Sequence, residues 1–206
     1  MRSVAPVVVK LGGSFAFSEQ LRNWIEALAA CGGEVVIVPG GGPFADAVRL
    51  AQTRMGFDDR AAHQMALLAM EQYGRALASF NSALSPAASV SAIRRHLDAD
   101  RVPVWMPSPM VLGADDVAQS WDVTSDSLAA WLAARIGADR VFLVKHAKNT
   151  SARAALKDLI AAGIVDEAFA LYLKESAAAA FILGPSDHEA AVSAIRSGAT
   201  AGIPVE

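Results

Sequence analysis

Short runs of apolar, mostly β-branched residues recur along the chain and are separated by longer amphipathic stretches. The runs predict strands, because a strand that is buried on both faces carries apolar residues at successive positions. The predicted strands are residues 7–9, 35–38, 102–105, 141–144 and 181–183, with an edge strand from residue 200 onward.

The stretches between the runs carry apolar residues at helical spacing, as in Leu21, Trp24, Ile25 and Leu28. The predicted helices are residues 18–31, 44–53, 59–84, 88–97, 124–137, 152–162, 166–178 and 188–196. Strands that alternate with helices predict an α/β fold with a mainly parallel sheet covered on both faces. We expect a single domain over residues 1–206, since no repeat or low-complexity linker interrupts the pattern.

Composition narrows the class of protein. The chain has 206 residues, of which 53% are hydrophobic and 19% charged, so it can bury a substantial core. A net charge of −3 gives no reason to expect a nucleic-acid or membrane partner. The one cysteine, Cys31, excludes an intrachain disulfide and fits a reducing compartment. With no room for a signal peptide before the first strand, we expect a cytoplasmic protein.

Two glycine-rich turns follow the first two predicted strands: Lys10-Leu-Gly-Gly-Ser14 and Pro39-Gly-Gly-Gly-Pro-Phe-Ala-Asp46. Such a turn between a strand and a helix exposes backbone N–H groups at a positive helix end, which attracts phosphate. The alternative is a pair of tight turns without a ligand, but two turns with Lys10 beside one of them favour a phosphate site. The candidate phosphate-binding residues are Gly12, Gly13, Ser14, Gly40, Gly41 and Gly42.

A third segment, Trp121-Asp-Val-Thr-Ser-Asp-Ser-Leu-Ala-Ala-Trp131, begins a predicted helix. Thr124 or Ser125 is expected to cap this helix, and Asp126 falls in its first turn, where the helix dipole favours a carboxylate. Asp126 is therefore either only a first-turn acid or a residue that orients lysines or a magnesium ion beside the phosphate site. Phosphoryl transfer depends on positioning and positive charge, which favours the second role. Asp122 is a weaker candidate of the same kind.

Taken jointly, these motifs resemble the amino acid kinase family. The first strand of that family ends in a Lys-x-Gly-Gly-Ser pattern, as at residues 10–14, and the second ends in a Gly-Gly-Gly turn, as at residues 40–42. The family's acidic helix start, Thr/Asn-x-Asp-x-x-Ala, is matched by Thr124, Asp126 and Ala129. All three motifs occur in family order.

The resemblance implies a three-layer αβα sandwich around a mainly parallel open sheet. An acceptor-side half would cover about residues 1–137, and a shortened nucleotide-side half about residues 138–206. It also implies ATP-dependent phosphorylation of a carboxylate, carbamate or phosphate monoester, with ATP and Mg²⁺ as cofactors. By family role, Lys10 would stabilise the transferred phosphoryl group, the glycines would cradle phosphates, and Asp126 would organise the charges.

Within the family, residues 104–107, 121–131 and 143–145 are similar to a short-chain branch that phosphorylates [5-(aminomethyl)furan-3-yl]methyl phosphate in methanofuran-type cofactor synthesis. A phosphate monoester is already an anionic nucleophile near neutral pH, with a second pKa of about 6, so it needs no general base. Two alternatives stay open. One is a kinase of another acceptor, such as a nucleoside monophosphate, an isoprenoid phosphate or a carboxylate, and the other is a non-catalytic binding or scaffold protein.

One segment departs from the family pattern. Family members carry a Thr/Lys-Asp-x-Asp-Gly-like turn facing the nucleotide, whereas this chain has Lys145-His-Ala-Lys-Asn-Thr150. Lys145 and Lys148 are candidate nucleotide-binding residues, and solvated loop lysines are the equal alternative. The mode of nucleotide binding therefore stays open at this stage.

The acceptor site has four further candidates: His63, Trp105, Trp121 and Asp122. The histidine could face the acceptor phosphate or be a partly buried structural residue. The two tryptophans could stack on a furan or another planar acceptor, or simply pack near the carboxyl edge of the sheet.

Neither a protein-bound metal nor a nucleic-acid or membrane partner is expected. The histidines have no metal-ligand spacing and there is no cysteine cluster. The row Met65, Leu68, Ala69 and Gln72 is interpreted as core or as a subunit contact. We expect a homo-oligomer that acts on a small phosphorylated molecule.

Overall fold

The computed structural model describes residues 5–146 and 154–206, which form a seven-stranded sheet with helices on both faces. The strands are β1 Val7–Leu11, β2 Val35–Pro39, β3 Leu84–Ala87, β4 Val102–Trp105, β5 Arg140–Val144, β6 Ala179–Leu183 and β7 Ile203–Pro204. The helices are α1 Gln20–Ala29, α2 Gly42–Met55, α3 Asp59–Ser79, α4 Val90–Asp98, α5 Ser108–Val111, α6 Ser125–Ile136, α7 Leu156–Ala161, α8 Phe169–Ser176 and α9 His188–Ser197. None of the helices in this described part is both long and apolar enough to span a membrane.

The sheet is mainly parallel and is buried on both faces. Its strand order is β3-β4-β2-β1-β5-β6-β7, and only the β6–β7 pair is antiparallel. In the central strand β1, Val8 joins one apolar cluster and Val7 and Val9 join the other. Side chains from α6 and α8 complete the first cluster, and side chains from α1 and α9 complete the second. The predicted three-layer αβα sandwich is confirmed.

The topology creates a crevice between β1 and β5. The chain leaves β1 toward β2 on one side of the sheet and leaves β5 toward β6 on the other. The carboxyl ends of two strands that diverge in this way flank the position where open parallel sheets bind ligands. Lys10 pairs in register with Leu143, and Lys145 follows β5 directly, so both lysines are brought to this crevice.

The helix predicted over residues 59–84 is too long, and an edge strand that was not predicted begins at Leu84. Helix α3 ends at Ser79, and β3 pairs in parallel with β4. Pro86 conceals this strand in the sequence, because proline disfavours most strands and is tolerated at a sheet edge, where one row of N–H groups needs no partner. The one-turn helix α5 was also not predicted.

Most other boundaries shift by a few residues. The helix predicted over residues 166–178 begins at Phe169, and the one predicted over residues 152–162 begins at Leu156, while residues 152 and 153 lie outside the described part. The edge strand expected from residue 200 onward is confirmed as β7.

The apolar row on α3 is divided between core and surface. Ala69 is buried, whereas Met65 and Leu68 are 39% and 50% exposed and Gln72 is also exposed. The core interpretation is therefore wrong for the exposed members of the row. The subunit contact stays a prediction.

Candidate functional site

The two glycine-rich turns pack directly against each other at the carboxyl ends of β1 and β2. The Gly40 amide donates a hydrogen bond to the Leu11 carbonyl at 2.8 Å. A Cβ atom on Gly13 would lie 2.3 Å from the Gly42 nitrogen, and one on Gly40 would lie 2.4 Å from the Gly13 nitrogen. Any larger residue would push the two backbones apart, so the glycines build one continuous surface from two turns.

Two of the six predicted phosphate-binding residues have a structural role instead. The Gly12 amide donates to the Val144 carbonyl at 3.3 Å, and the Gly40 amide is used by Leu11. These bonds tie β1 to its neighbours, so neither amide is free to bind phosphate. The turn residues that line the cavity are Gly13, Ser14, Gly41 and Gly42.

Helix α2 presents its N-terminus to the same cavity. The helix starts at Gly42, and its N-cap residue, Gly41, makes no side-chain capping hydrogen bond. Uncapped N–H groups and the helix dipole together make such a terminus attractive to an anion. The start of α2 therefore supplies N–H groups at the place where the glycine turns predict a phosphate site.

A buried cluster of three charged side chains lies beside the turns. Lys10 Nζ lies 2.9 Å from Asp126 Oδ1, and Lys145 Nζ donates a hydrogen bond to Asp126 Oδ2 at 2.6 Å. The side chains of Lys10, Asp126 and Lys145 are only 7%, 6% and 13% exposed. One carboxylate therefore holds two ammonium groups together and leaves one positive charge uncompensated at the crevice.

Burial and the neighbouring charges shift the pKa values of this cluster. Burial alone would raise the pKa of Asp126, but the attraction of Lys10 and Lys145 outweighs it and holds that pKa below its usual value. Burial and the charge of Lys10 lower the pKa of Lys145 to about 8, against the opposing attraction of Asp126. Asp126 is thus ionised at neutral pH, and Lys145 loses its proton at about pH 8, close to neutrality.

Helix α6 places Asp126 in its first turn, as the sequence predicts, but another segment caps this helix. Thr124 occupies the N-cap position without a capping hydrogen bond from its own side chain. The Asp166 carboxylate instead accepts hydrogen bonds from the amides of Thr124 and Ser127 at 2.9 and 3.1 Å. The capping expected from Thr124 or Ser125 is therefore supplied by Asp166, a site residue that was not predicted.

Two cavities meet at the charge cluster. The first, of about 280 Å³, is lined by Lys10, by the glycine turns and by residues of α2 and α3. The second, of about 390 Å³, is lined by Asp126, Lys145 and the loop between α7 and α8. Arg49, Trp121 and Thr124 line both cavities. Lys10 lines the first cavity, and Asp126 and Lys145 line the second, so the charge cluster faces both cavities.

Arg49 and Trp121 form the wall shared by the two cavities. The Arg49 guanidinium carbon lies 4.7 Å from the centroid of the Trp121 ring, and its Nη1 lies 2.9 Å from Asp46 Oδ1. The Trp121 indole N–H donates a hydrogen bond to Gln52 Oε1 at 2.8 Å. Trp121 thus lines both cavities, and its contact with an acceptor stays a prediction. Arg49 was not predicted, because an arginine on an exposed helix face is ordinarily a solvated residue.

His63 also lines the first cavity, and it is buried. Its Nδ1 lies 3.1 Å from the Ser120 carbonyl oxygen, which can only accept, so Nδ1 carries the hydrogen. Burial lowers the pKa of His63, and its Nε2 has no hydrogen-bond partner among the described residues. The ring is therefore neutral, with an acceptor nitrogen left unsatisfied.

The remaining predicted residues lie in different surroundings. Trp105 is completely buried and stacks on Trp131 with ring centroids 6.0 Å apart, so it belongs to the core and not to the acceptor site. Asp122 lines the second cavity, where its Oδ2 accepts a hydrogen bond from Ser120 Oγ at 3.1 Å. Lys148 lies outside the described residues.

Asp126 is not free to bind Mg²⁺ directly. Both oxygens of Asp126 face lysine ammonium groups, so this carboxylate is committed to Lys10 and Lys145. No group of three or more histidine, cysteine, aspartate or glutamate side chains in residues 5–146 and 154–206 is placed to hold a metal ion. The expectation that Asp126 orients a magnesium ion is replaced by its role toward the two lysines.

Fold and site together define a class. Glycine turns at the ends of parallel strands, an uncapped helix N-terminus and a buried lysine pair are typical of α/β proteins that bind phosphate groups at the switch point of the sheet. The chain belongs to the amino acid kinase family, whose sequence profile matches residues 5–149. The resemblance inferred from the three motifs is thereby confirmed.

One curated protein is similar to this chain over part of its length. The chain is 26% identical over 130 residues to the [5-(aminomethyl)furan-3-yl]methyl phosphate kinase of Methanocaldococcus jannaschii, a match that covers 61% of this chain and 58% of that protein. The chain thus matches less than two thirds of the length of this curated relative.

Solved structures share the fold over nearly the whole chain. The uridylate kinase from Archaeoglobus fulgidus superposes with a TM-score of 0.71 at 20% identity, covering 98% of this chain and all of that one. An isopentenyl phosphate kinase superposes with a TM-score of 0.64 at 17% identity, covering 97% and 99% of the two chains.

Proposed function

We propose that this chain is an ATP-dependent kinase that phosphorylates a phosphate monoester. The observation that carries the proposal is the buried cluster of Lys10, Asp126 and Lys145, set at the crevice between β1 and β5 beside the uncapped start of α2. Phosphoryl transfer needs positioned positive charge more than covalent chemistry, and this cluster supplies it.

The proposed reaction joins two phosphates. An oxygen of the acceptor monoester forms a bond to the γ-phosphorus of ATP, the bond from that phosphorus to the β,γ-bridging oxygen breaks, and ADP leaves. The acceptor is already anionic near neutral pH, since the second pKa of a phosphate monoester is about 6. The reaction therefore requires no protein base.

The charge cluster would act on the group in transit. Lys10 and Lys145 would neutralise the charge spread over the transferring phosphoryl oxygens, and Asp126 would keep their ammonium groups together. The amides lining the cavity at Gly13, Gly41 and Gly42 would hold the adjacent phosphates. Since Asp126 is committed to the lysines, we place any Mg²⁺ on the nucleotide phosphates and water, a common mode for this ion.

The first cavity suits an acceptor with a small planar body. Its walls combine apolar side chains such as Leu67 and Met70 with the ring of Trp121, and Lys10 and Arg49 supply positive charge. The curated relative is a kinase of a furan-methyl phosphate, and we propose an acceptor of that type for this chain. Uridylate and isopentenyl phosphate, named for the structural neighbours, are the alternative acceptors.

Two further features belong to the proposal. We propose a cytoplasmic homo-oligomer, with the exposed Met65 and Leu68 of α3 as the candidate contact between subunits. We also propose that Lys145 contacts nucleotide phosphates, since it lines the second cavity in contact with Asp126.

A direct test of the activity is an acceptor screen with ATP and Mg²⁺, followed by ADP release. We expect turnover with [5-(aminomethyl)furan-3-yl]methyl phosphate to exceed that with UMP or isopentenyl phosphate. The Lys10→Ala variant, purified in the same way, controls for contaminating ATPases. Turnover above this control with UMP or isopentenyl phosphate alone would replace the acceptor assignment, and no turnover with any acceptor would favour a binding protein.

We expect kcat/KM to fall as the pH rises through about 8, because Lys145 loses its positive charge there. The lowered pKa of Lys145 has the opposite effect on the stability of the fold. In the unfolded chain Lys145 has a pKa of 10.5 and keeps its proton longer. The free energy of unfolding therefore increases with pH between about pH 8 and 10.5. Loss of activity in that window is thus expected without loss of the fold.

The measurement is a pH–rate profile recorded with melting temperatures in the same buffers. The Lys145→Arg variant keeps its charge throughout this range, since an arginine pKa exceeds about 12, and its residual activity should show no fall near pH 8. A wild-type rate that is flat to pH 10 would remove Lys145 from the charge requirement.

A further inference from the structure

A single carboxylate, that of Asp166, fastens the start of α6 to the loop between α7 and α8. Its Oδ2 accepts hydrogen bonds from the Thr124 amide at 2.9 Å, the Thr124 hydroxyl at 2.7 Å and the Ser127 amide at 3.1 Å. Its Oδ1 accepts a further hydrogen bond from the Ser127 hydroxyl. Four donors from the first turn of α6 therefore converge on one side chain about forty residues further along the chain.

The residue enclosed by these contacts is Asp126. It lies between Thr124 and Ser127 in the chain, so the backbone on both of its sides is held by Asp166. A second tie supports the first, because the Ala168 amide donates to the Asp122 carbonyl at 3.1 Å. The loop before α8 therefore fixes the entry into α6 as well as its first turn.

We propose that Asp166 is a positioning residue for the kinase site: it holds the first turn of α6 so that Asp126 stays between Lys10 and Lys145. This inference rests on the proposed function. The carboxylate of Asp126 makes contacts of 2.9 and 2.6 Å to the two lysines, and such contacts tolerate little movement of the helix end.

Charge supports the same assignment. The N-terminus of α6, a helix of 12 residues, carries a partial positive charge that favours an anion. Asp166 occupies that place with a fixed internal carboxylate, and its oxygens satisfy the amides of the first turn. A substrate phosphate is thereby directed to the uncapped start of α2, where Gly41 and Gly42 line the first cavity.

The test compares Asp166→Ala and Asp166→Asn with a matched control, Asp158→Asn, which removes one exposed carboxylate from nearby α7. We expect Asp166→Ala to lower kcat on the order of 10²-fold, because small displacements of catalytic groups have effects of that size. The KM for ATP should change less than kcat, since Asp166 lines the second cavity but its hydrogen bonds go to Thr124 and Ser127 and not to Lys145. Asp166→Asn keeps an acceptor oxygen and should lie between the alanine variant and the wild type.

A second readout does not depend on turnover. Amide hydrogen exchange in residues 122–128 should become roughly tenfold faster or more in Asp166→Ala and stay unchanged in Asp158→Asn, since the two amide bonds to a charged acceptor are lost. Faster exchange together with the loss of kcat supports the proposal. Unchanged exchange overturns it, as does a kcat of Asp166→Ala within about threefold of the wild type.

The two proposals fail in different ways. If the wild type turns over no acceptor, the kinase assignment is lost while the exchange experiment still decides whether Asp166 holds α6. If the wild type is active and Asp166→Ala keeps its kcat, the kinase assignment stands and the positioning role is wrong.

Discussion

Replacing Lys10 with alanine is expected to abolish phosphoryl transfer. The substitution removes one of the two buried ammonium groups beside the glycine turns, and with it the charge that faces the first cavity. Removing one such charge from an electrostatically stabilised transition state lowers the rate on the order of 10²-fold or more. Asp126 keeps Lys145 as a partner, so the buried carboxylate is not left unpaired and the fold should persist.

The control for this variant is Lys157→Ala, which removes an exposed lysine from α7. Steady-state ADP release and thermal melting are measured on both proteins. We expect Lys157→Ala to match the wild type and Lys10→Ala to melt cooperatively without turnover. Normal turnover by Lys10→Ala would show that the site has been placed wrongly.

Replacing Asp126 with asparagine is expected to remove most activity and to destabilise the protein as well. A carboxylate in the first turn of an exposed helix would be expected to contribute only about 0.3–1 kcal/mol to the free energy of unfolding. The structure alters that expectation, because Asp126 is buried against two lysines. Taking away one member of a buried ion cluster lowers the free energy of unfolding by on the order of 3 kcal/mol.

The variant should also change the protonation of Lys145. Asp126 is the neighbour that raises the pKa of Lys145, whereas burial and Lys10 both lower it. Without the carboxylate we expect that pKa to fall below about 8, so that the lysine is neutral over more of the physiological range.

Activity, melting temperature and chemical denaturation of Asp126→Asn are compared with those of Asp115→Asn, an exposed control on the loop before α6. Unchanged ATP turnover with only a small drop in melting temperature would leave Asp126 as an ordinary first-turn acid. A large loss of both activity and stability is the expected result.

The centre of the fold could be predicted from the sequence because its signals are local. Val7, Val8 and Val9 form an apolar run of the kind that only a strand covered on both faces requires, and β1 is that strand. The glycine turns were recognisable because a short motif carries both the turn and its chemistry. Asp126 could be identified by its position in a first helical turn.

Other parts depend on contacts between distant residues. An acid before a helix ordinarily caps that helix, so nothing near Asp166 in the chain indicates that it caps α6 instead. Trp105 was predicted to contact the acceptor because it is an aromatic residue at the end of a strand. Only its stacking on the distant Trp131 shows that it belongs to the core. Strand β3 was not predicted because Pro86 disfavours a strand everywhere except at a sheet edge.

We propose that the cluster of Lys10, Asp126 and Lys145 supports transfer of the γ-phosphoryl group of ATP to a phosphate monoester. The most direct measurement is ³¹P NMR of a reaction containing ATP, Mg²⁺ and [5-(aminomethyl)furan-3-yl]methyl phosphate. The claim predicts two coupled resonances of a new diphosphate ester that grow as ADP accumulates, in the wild type and not in Lys10→Ala. ADP that accumulates with inorganic phosphate alone, while the monoester resonance stays constant, would contradict it.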